Sequence, residues 1–305
     1  MVETLYDVAI IGGGPGGYAA ALYCARAGLS AVVLEKLSPG GQMGTTDRIE
    51  NYPGFPDGIS GFELGVRMQQ SAERFGAETR LTEVRAAELA AKEKVLHTAE
   101  GDVRARTVIL ATGASPRELG LPEEQSLRGR GVSYCATCDG MFYRGKEVVI
   151  VGGGDTAAAD AVFLSKLCRT VTLVHRRDAL RASKAYLDPL SRCENLRYVW
   201  NAQVVSILHE NTVTGVTLRD RKTGRTQELA CDGVFVAIGQ TPNTTLFRGQ
   251  VAMDEAGYLL TDETMRTDLP GVYAVGDVRQ KTLRQIVTAV ADGAIASKSV
   301  EADLS

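Results

Sequence analysis

The feature that most constrains this chain is a glycine-rich strand, turn and helix pattern that occurs twice, 140 residues apart. The apolar run Asp7-Val8-Ala9-Ile10-Ile11 leads straight into Gly12-Gly13-Gly14-Pro15-Gly16-Gly17. A helical pattern follows from Tyr18 to Ala27, Gly28 stops it, and a second strand over Ala31–Leu34 ends at Glu35 and Lys36. The later copy is Glu147–Val151 followed by Gly152-Gly153-Gly154-Asp155-Thr156-Ala157, and a shift of 140 aligns the two without a gap. In the first copy Gly12 permits the tight turn. Gly14 lets backbone N–H groups approach a pyrophosphate at the positive end of the helix, and Gly17 lets that helix pack on the sheet. A lone G-x-G-x-x-G is weak, but strand, turn, helix, strand and acid within about 30 residues predict a dinucleotide site. Ala157 in place of the third glycine is a change this fingerprint tolerates.

The same shift sets Glu35 opposite His175 and Lys36 opposite Arg176. One copy ends on a carboxylate, which accepts hydrogen bonds from a ribose 2′-hydroxyl and repels a 2′-phosphate. The other ends on His175-Arg176-Arg177 with Arg181 beyond, and guanidinium groups pair with phosphate bidentately. The first site is therefore expected to take FAD or NAD, and the second NADPH. A solvated basic loop is the plainer explanation of the arginines, but it leaves the charge reversal at an aligned position unexplained.

A second matched pair closes each copy. Val108-Ile109-Leu110-Ala111-Thr112-Gly113 and Val234-Phe235-Val236-Ala237-Ile238-Gly239 are apolar strands ending in glycine, each followed by a proline, Pro116 or Pro242. A further strand, Val272–Val275, leads to Gly276-Asp277 and an amphipathic helix from about Arg284 to Val300. No third glycine fingerprint precedes it, so this tail is expected to complete the first domain. The predicted fold is α/β: two Rossmann-like dinucleotide-binding domains, each three-layered with a parallel sheet and a β-meander. Residues 1–114 and 243–305 form the first domain, and 115–242 form a second inserted into it. The meanders are placed over 78–100 and 204–229, with Val213–Leu218 and Gly224 as hairpin punctuation, and a helix over Phe62–Arg74. The irregular, Gly- and Pro-rich region between Lys36 and Arg67 is longer than an ordinary connection and is a candidate functional loop. Gly40 and Gly41 would allow close backbone approach to a flat ring, with Gln42 and Asn51 as polar handles.

At 305 residues the chain suits two domains. A formal charge of −3 gives no basic field for nucleic acid, and no apolar run is long enough to span a bilayer. The N-terminal residues show no export signal, and six irregularly spaced cysteines do not form a secreted disulfide framework. A cytoplasmic enzyme with one working cysteine pair is the expectation.

That pair lies in Ser133-Tyr134-Cys135-Ala136-Thr137-Cys138-Asp139-Gly140, just ahead of the second fingerprint. A Cys-x-x-Cys is redox-active where its thiolate is accessible, and half of a zinc site looks the same. Zinc would need two further ligands, and none lies nearby, so no metal site is expected. Asp139 is a candidate general acid/base beside Cys138; as an N-cap of a short helix it would serve a purely structural role, and the two are compatible. Cys24 and Cys168 are expected as buried apolar groups, Trp200 as core, and Cys193, Cys231, His97 and His209 without a role.

With these residues assembled, the chain resembles the low-molecular-weight bacterial thioredoxin reductases over essentially its whole length. The likeness rests on Gly12–Gly17 with Glu35, Gly40-Gly41-Gln42, Asn51-Tyr52-Pro53-Gly54, Ala111-Thr112-Gly113, Cys135–Gly140, Gly152–Ala157, His175–Asp178 with Arg181, Gly276-Asp277 and Arg284-Gln285. The resemblance implies FAD on the first domain, with its pyrophosphate at Gly12, Gly14, Pro15 and Gly17 and its ribose at Glu35 and Lys36. Toward the flavin it implies Gly41, Gln42, Asn51, Asp277, Arg284, Gln285 and Ile286, with Val84, Ala111, Thr112, Gly113 and Gly276 also lining the cofactor. It implies NADPH at Gly152, Gly154, Asp155, Thr156, Ala157 and Ile238, with His175, Arg176, Arg177 and Arg181 around the 2′-phosphate. Electrons would pass from NADPH through FAD to the Cys135/Cys138 disulfide and on to thioredoxin or a thioredoxin-like protein, Cys138 facing the flavin and Cys135 attacking the partner. A swivel on 114–121 and 239–243 and a homodimer are implied as well. An FAD-dependent dithiol oxidase and a non-enzymatic flavin redox sensor are the alternatives.

Overall fold

A computed structural model of the chain describes residues 4–46 and 48–305. They divide into two compact units: one runs to Ser115 and resumes over Thr241–Ser305, and the other is Pro116–Gln240.

Among the described residues the first unit is built on a seven-stranded sheet. Strands β1 (Leu5–Ile11), β2 (Ala31–Glu35), β3 (Glu78–Leu81), β4 (Val84–Glu88), β5 (Lys94–Thr98) and β6 (Gly101–Leu110) lie in the order β3-β2-β1-β6-β5-β4. The strand Val272–Ala274, from beyond the second unit, pairs in parallel with the end of β6. Strands β1, β2, β3 and β6 are parallel, while β4, β5 and the start of β6 form an antiparallel meander. The meander therefore starts and ends later than the 78–100 expected from the sequence. Glu78–Leu81 instead extends the parallel sheet at its β2 edge, and its half-polar make-up suits an edge strand.

Val8, Ala9, Ile10 and Ile11 are all buried, because both faces of this sheet are covered. Val8 and Ile10 pack with Tyr18, Ala20 and Cys24 of helix α1 (Pro15–Arg26) and with Ala296 and Val300 of the C-terminal helix (Ile286–Leu304). Ala9 and Ile11 pack on the other face with Leu34, Leu96 and Phe247. Helix α1 starts at Pro15, whose fixed φ suits the first helical position. Helix α2 (Gly61–Glu73) is capped by Ser60 Oγ, which accepts from the Glu63 N–H. The C-terminal helix starts two residues later than expected, behind a reciprocal cap between Gln285 and Thr288, and runs past Val300 to Leu304. Its last turn is held by Arg266, which donates to Asp303 at 2.7 Å.

The chain leaves the first unit through β7 (Ala114–Pro116). In the second unit β8 (Val132–Ser133), β9 (Glu147–Gly152), β10 (Thr170–Val174), β11 (Leu196–Val199) and a later strand form a parallel sheet. An antiparallel sheet of β12 (Ala202–His209), β13 (Val213–Asp220) and β14 (Thr226–Ala230) precedes that later strand, β15 (Gly233–Ala237), and the parallel order is β11-β10-β9-β15-β8. Gly215 lies inside β13, not at a turn; the reversal follows Asp220 and includes Gly224. Its helices are α3 (Ala136–Asp139), α4 (Asp155–Ser165) and α5 (Lys184–Leu190). The 140-residue repeat holds at the level of register: Ile10 pairs with Val33 and Ile150 with Leu173. Finally β16 (Gln240–Pro242) pairs with β7, so the outgoing and returning segments form a two-stranded ribbon. Asn243 donates twice across the same place, its N–H to Gly113 O at 3.0 Å and its Nδ2 to Thr112 O at 2.9 Å.

Trp200 is only half-buried and stacks on Tyr198 with ring centroids 4.9 Å apart, so it belongs to an aromatic surface ledge and not to the core. Among the described residues no helix is long and apolar enough to cross a membrane, and no cluster of side chains has the make-up of a metal site.

Candidate functional site

In the first unit β1 ends at the glycine turn because Gly12 adopts a left-handed φ of +107°, where a Cβ would strike the carbonyl of Ala111. Gly17 closes on the carbonyl of Gly12 in the same way, so neither can carry a side chain. Gly14 faces open space, and no side chain caps the helix start, which leaves the first N–H groups of α1 for a ligand. Glu35 is buried at the end of β2; one oxygen accepts from the Gly13 N–H at 2.7 Å and the other from the Leu37 N–H at 2.9 Å. Lys36 points outward to Glu83 at 2.6 Å. The irregular loop returns to the turn: Gly40 donates to Gly13 O at 2.8 Å, and a Cβ on Gly41 would sit 3.4 Å from the Gly14 Cα.

Of the flavin-side residues predicted from sequence, Asn51 and Ile286 stand at the start of the C-terminal helix, while Gln42 and Thr112 are tied to Ala114 and Asn243. Asn51 Nδ2 donates to Gln285 Oε1 at 3.1 Å, and Gln42 Nε2 donates to Ala114 O at 2.6 Å. Thr112 Oγ1 donates to Asn243 O at 2.7 Å. Arg284 lies over the Tyr258 ring, 4.0 Å from its centroid. Asp277 follows Gly276, which takes a φ of +75°, and its Oδ1 is buried with no hydrogen-bond partner among the described residues. Burial pushes its carboxyl up, opposed by Lys281 and Arg284. Val84 is buried in the apolar core, and Ile286 packs beside Met43 and Ile49.

The second turn repeats the first with different chemistry. A Cβ on Gly152 would meet the carbonyl of Ala237, and Gly154 again faces open space. His175 stands where Glu35 stands, but its ring lies against Gly153 so closely that a methyl there would overlap it. It is 4% exposed, edge-on to Trp200, and Nε2 has no partner among the described residues. Burial pushes the imidazole down first, and Arg181, Arg176 and Arg177 add to that, so at neutral pH it is an uncharged group under the turn. Sequence reasoning grouped His175 with the phosphate-pairing arginines; its ring is buried, whereas Arg176, Arg177 and Arg181 are exposed. The Arg181 N–H donates to Gly153 O at 2.7 Å, and Asp155 accepts from the Ser183 N–H at 2.7 Å, which ties that loop to the turn. Thr156 and Ile238 are exposed beside it, and Ala157 is buried.

Cys135 and Cys138 form a disulfide across the first turn of α3. Both are partly exposed, as an exchanging disulfide requires. Asp139 ends α3 and caps nothing with its side chain; its Oδ2 accepts from Ser133 Oγ at 2.6 Å. Ser133 Oγ also accepts from the Cys135 N–H at 3.1 Å, so one buried hydroxyl sets both the first cysteine and the carboxylate. Ser133 was not singled out from sequence, although it stands in the same octapeptide. The free cysteines Cys24, Cys168 and Cys231 are buried, and burial pushes the first and last up to about 12.

Both turns fit dinucleotides on observed grounds: open space above Gly14 and Gly154, uncapped helix starts, and an unpartnered buried oxygen on Asp277. A doubled dinucleotide fold with a partly exposed Cys-x-x-Cys disulfide defines a nucleotide-linked disulfide oxidoreductase. The chain belongs to the pyridine nucleotide-disulphide oxidoreductase family, whose profile matches residues 6–293. It is 48% identical over 303 residues to a thioredoxin reductase of Streptomyces clavuligerus, covering 98% of this chain and 94% of the relative. It is 45% identical over 300 residues to a thioredoxin reductase of Bacillus subtilis, covering 98% and 95%. The crystal structure of thioredoxin reductase from Streptococcus pyogenes matches with a TM-score of 0.92 at 44% identity, covering 98% of each chain.

Proposed function

We propose that this chain is an NADPH-dependent thioredoxin-disulfide reductase, with FAD on the first unit, NADPH on the second and the Cys135–Cys138 disulfide as the group that reduces the partner. The observation that carries the assignment is the pairing of a formed disulfide with two turns of opposite charge, Glu35 in one and Arg176, Arg177 and Arg181 in the other. When bound, the two cofactors supply two-electron transfer from nicotinamide to the disulfide.

Opening the Cys135–Cys138 bond takes two electrons and two protons and leaves two thiols. Asp139, fixed by Ser133, holds a proton next to the Cys138 sulfur, and Cys135 is the sulfur that attacks the partner's disulfide. That attack forms a Cys135–partner mixed disulfide and releases one partner thiolate. Attack by Cys138 on Cys135 then frees the partner as a dithiol and restores the internal bond. The dithiol has to meet both the flavin and a whole protein, so the second unit swivels on the β7–β16 ribbon. An engineered crosslink between the units abolishes turnover under this proposal, and unimpaired turnover sinks it. A cytoplasmic homodimer is the expected state.

A dithiol oxidase has no use for a 2′-phosphate site, which sets that alternative behind the reductase. The test is anaerobic titration of the yellow protein with NADPH and with NADH, followed by oxidised thioredoxin. Bleaching by NADPH and recovery on adding thioredoxin support the proposal; no bleaching, or bleaching by NADH alone, overturns it.

A further inference from the structure

Neither nucleotide turn explains why the C-terminal helix buries a carboxylate. Asp292 is 5% exposed, two turns into that helix. Its Oδ2 accepts from the Gly276 N–H at 2.9 Å, from Arg279 Nε at 3.0 Å and from Lys281 Nζ at 2.7 Å, and its Oδ1 accepts from Arg279 Nη2 at 3.3 Å. The Lys281 side chain is itself tucked away, with only 7% of it exposed. Two cations and a backbone N–H thus converge on one anion, an arrangement that is costly to desolvate and worth retaining only with every partner in place.

The geometry shows what the cluster holds. Gly276 is the left-handed residue that aims Asp277, whose buried Oδ1 has no partner among the described residues. Arg279 and Lys281 are the next cations along the same loop, so residues 276–281 wrap around Asp292. The position of Asp292 is fixed in turn by its neighbour. A Cβ on Gly293 would run into the carbonyl of Gly16 and, at 2.8 Å, the Ala20 nitrogen, so the helix lies directly on α1. A Cβ on Gly16 would meet Ala289 O at 3.1 Å and Gly276 N at 3.5 Å. The pyrophosphate turn, the Asp277 turn and Asp292 are one packed body.

We infer that Asp292 is a positioning residue for the flavin nucleotide: it locks the 276–281 loop so that the Asp277 carboxyl is presented to the cofactor at a fixed distance from the Gly12–Gly17 turn. This rests on the assignment of FAD to the first unit. Without Asp292, Arg279 and Lys281 lose their common anion and the Gly276 N–H its acceptor, so the loop no longer dictates where Asp277 points.

The test measures the FAD dissociation constant and the rate of flavin release from the holoprotein, followed by flavin fluorescence. Asp292→Ala is expected to weaken FAD at least tenfold, and Asp292→Asn, which keeps an acceptor for Gly276, by a smaller factor. Asp303→Ala is the control, because it loosens the same helix at its other end by removing the Arg266 pair. It should lower thermal stability and leave FAD affinity within twofold. Binding of 2′,5′-ADP, which reports the second unit, should be unchanged in all three. Wild-type FAD affinity in Asp292→Ala, or an equal loss in Asp303→Ala, overturns the inference. Should Asp292→Ala not fold, Lys281→Met removes one partner while sparing the Gly276 contact. It should speed flavin release severalfold, and an unchanged rate overturns the inference equally. A wild-type protein that binds no FAD refutes the assignment of the site itself, a result distinct from both.

Discussion

Glu35 and His175 occupy the same station in the two units, each buried against the middle glycine of its turn. Glu35 accepts the Gly13 N–H at 2.7 Å, whereas His175 fills the equivalent place with a neutral ring and leaves charge to the arginines that follow. One structural slot thus holds a carboxylate in one unit and an uncharged ring in the other.

Nucleotide choice should therefore follow the exposed arginines. Arg176→Ala and Arg177→Ala are each expected to raise KM for NADPH by about 10- to 100-fold, the scale of one charge-assisted hydrogen bond to phosphate, with little change for NADH. Steady-state kinetics with both nucleotides gives the answer. Equal losses for both would mean that the arginines hold the loop and not the phosphate.

The two turns differ in their tolerance of a methyl group. Gly17→Ala forces a Cβ into the Gly12 carbonyl and should yield protein that purifies without flavin. Ala157→Gly removes a methyl that the second turn already holds, and should cost only about 0.5–1 kcal/mol of stability in denaturant unfolding. A yellow Gly17→Ala protein would refute the packing argument.

The division of labour in the dithiol is separable. Cys135→Ser and Cys138→Ser should each end thioredoxin reduction while the flavin still bleaches with NADPH. Ser133→Ala should lower turnover about 3- to 10-fold, because Asp139 loses the hydroxyl that orients it. Stopped-flow absorbance with and without thioredoxin distinguishes these cases.

Asp160 of α4 gives a pH signature unrelated to catalysis. Burial pushes its carboxyl from 3.8 up to about 7. A group raised in the folded state stabilises fully below its unfolded value, and that contribution is lost as pH rises through the folded value. Asp160→Asn should therefore be more stable than wild type by about 2–4 kcal/mol at pH 8, with the difference shrinking toward zero near pH 4. Urea unfolding at both pH values decides it; a gap independent of pH would mean that the carboxyl ionises normally.

Much of the site was legible because its determinants are local. Glycine spacing, the strand before it and the acid or arginine after it fall within one strand-turn-helix unit, so the turns at Gly12 and Gly152 could be placed by residue. What escaped depends on long-range packing. Asp292 is one acidic residue in an amphipathic helix until the fold brings Gly276, Arg279 and Lys281 onto it. The burial of His175 follows from Gly153 leaving room for a ring, which spacing alone does not reveal. Glu78–Leu81 looks like a meander strand because it is half-polar, and only the free edge of β2 makes it parallel.

The ribbon of β7 and β16 has a consequence for the gene. Within the first unit, Asn243 binds Gly113 and Thr112 directly, and within the second the Arg117 N–H donates to Gly239 O at 3.0 Å. Each unit thus has its two cut ends side by side. Codons 116–240 form a cassette: deletion leaves a short seam to splice, and the excised piece begins and ends at one spot. A nucleotide domain of different specificity could be exchanged there by recombination without disturbing the sheet that receives it.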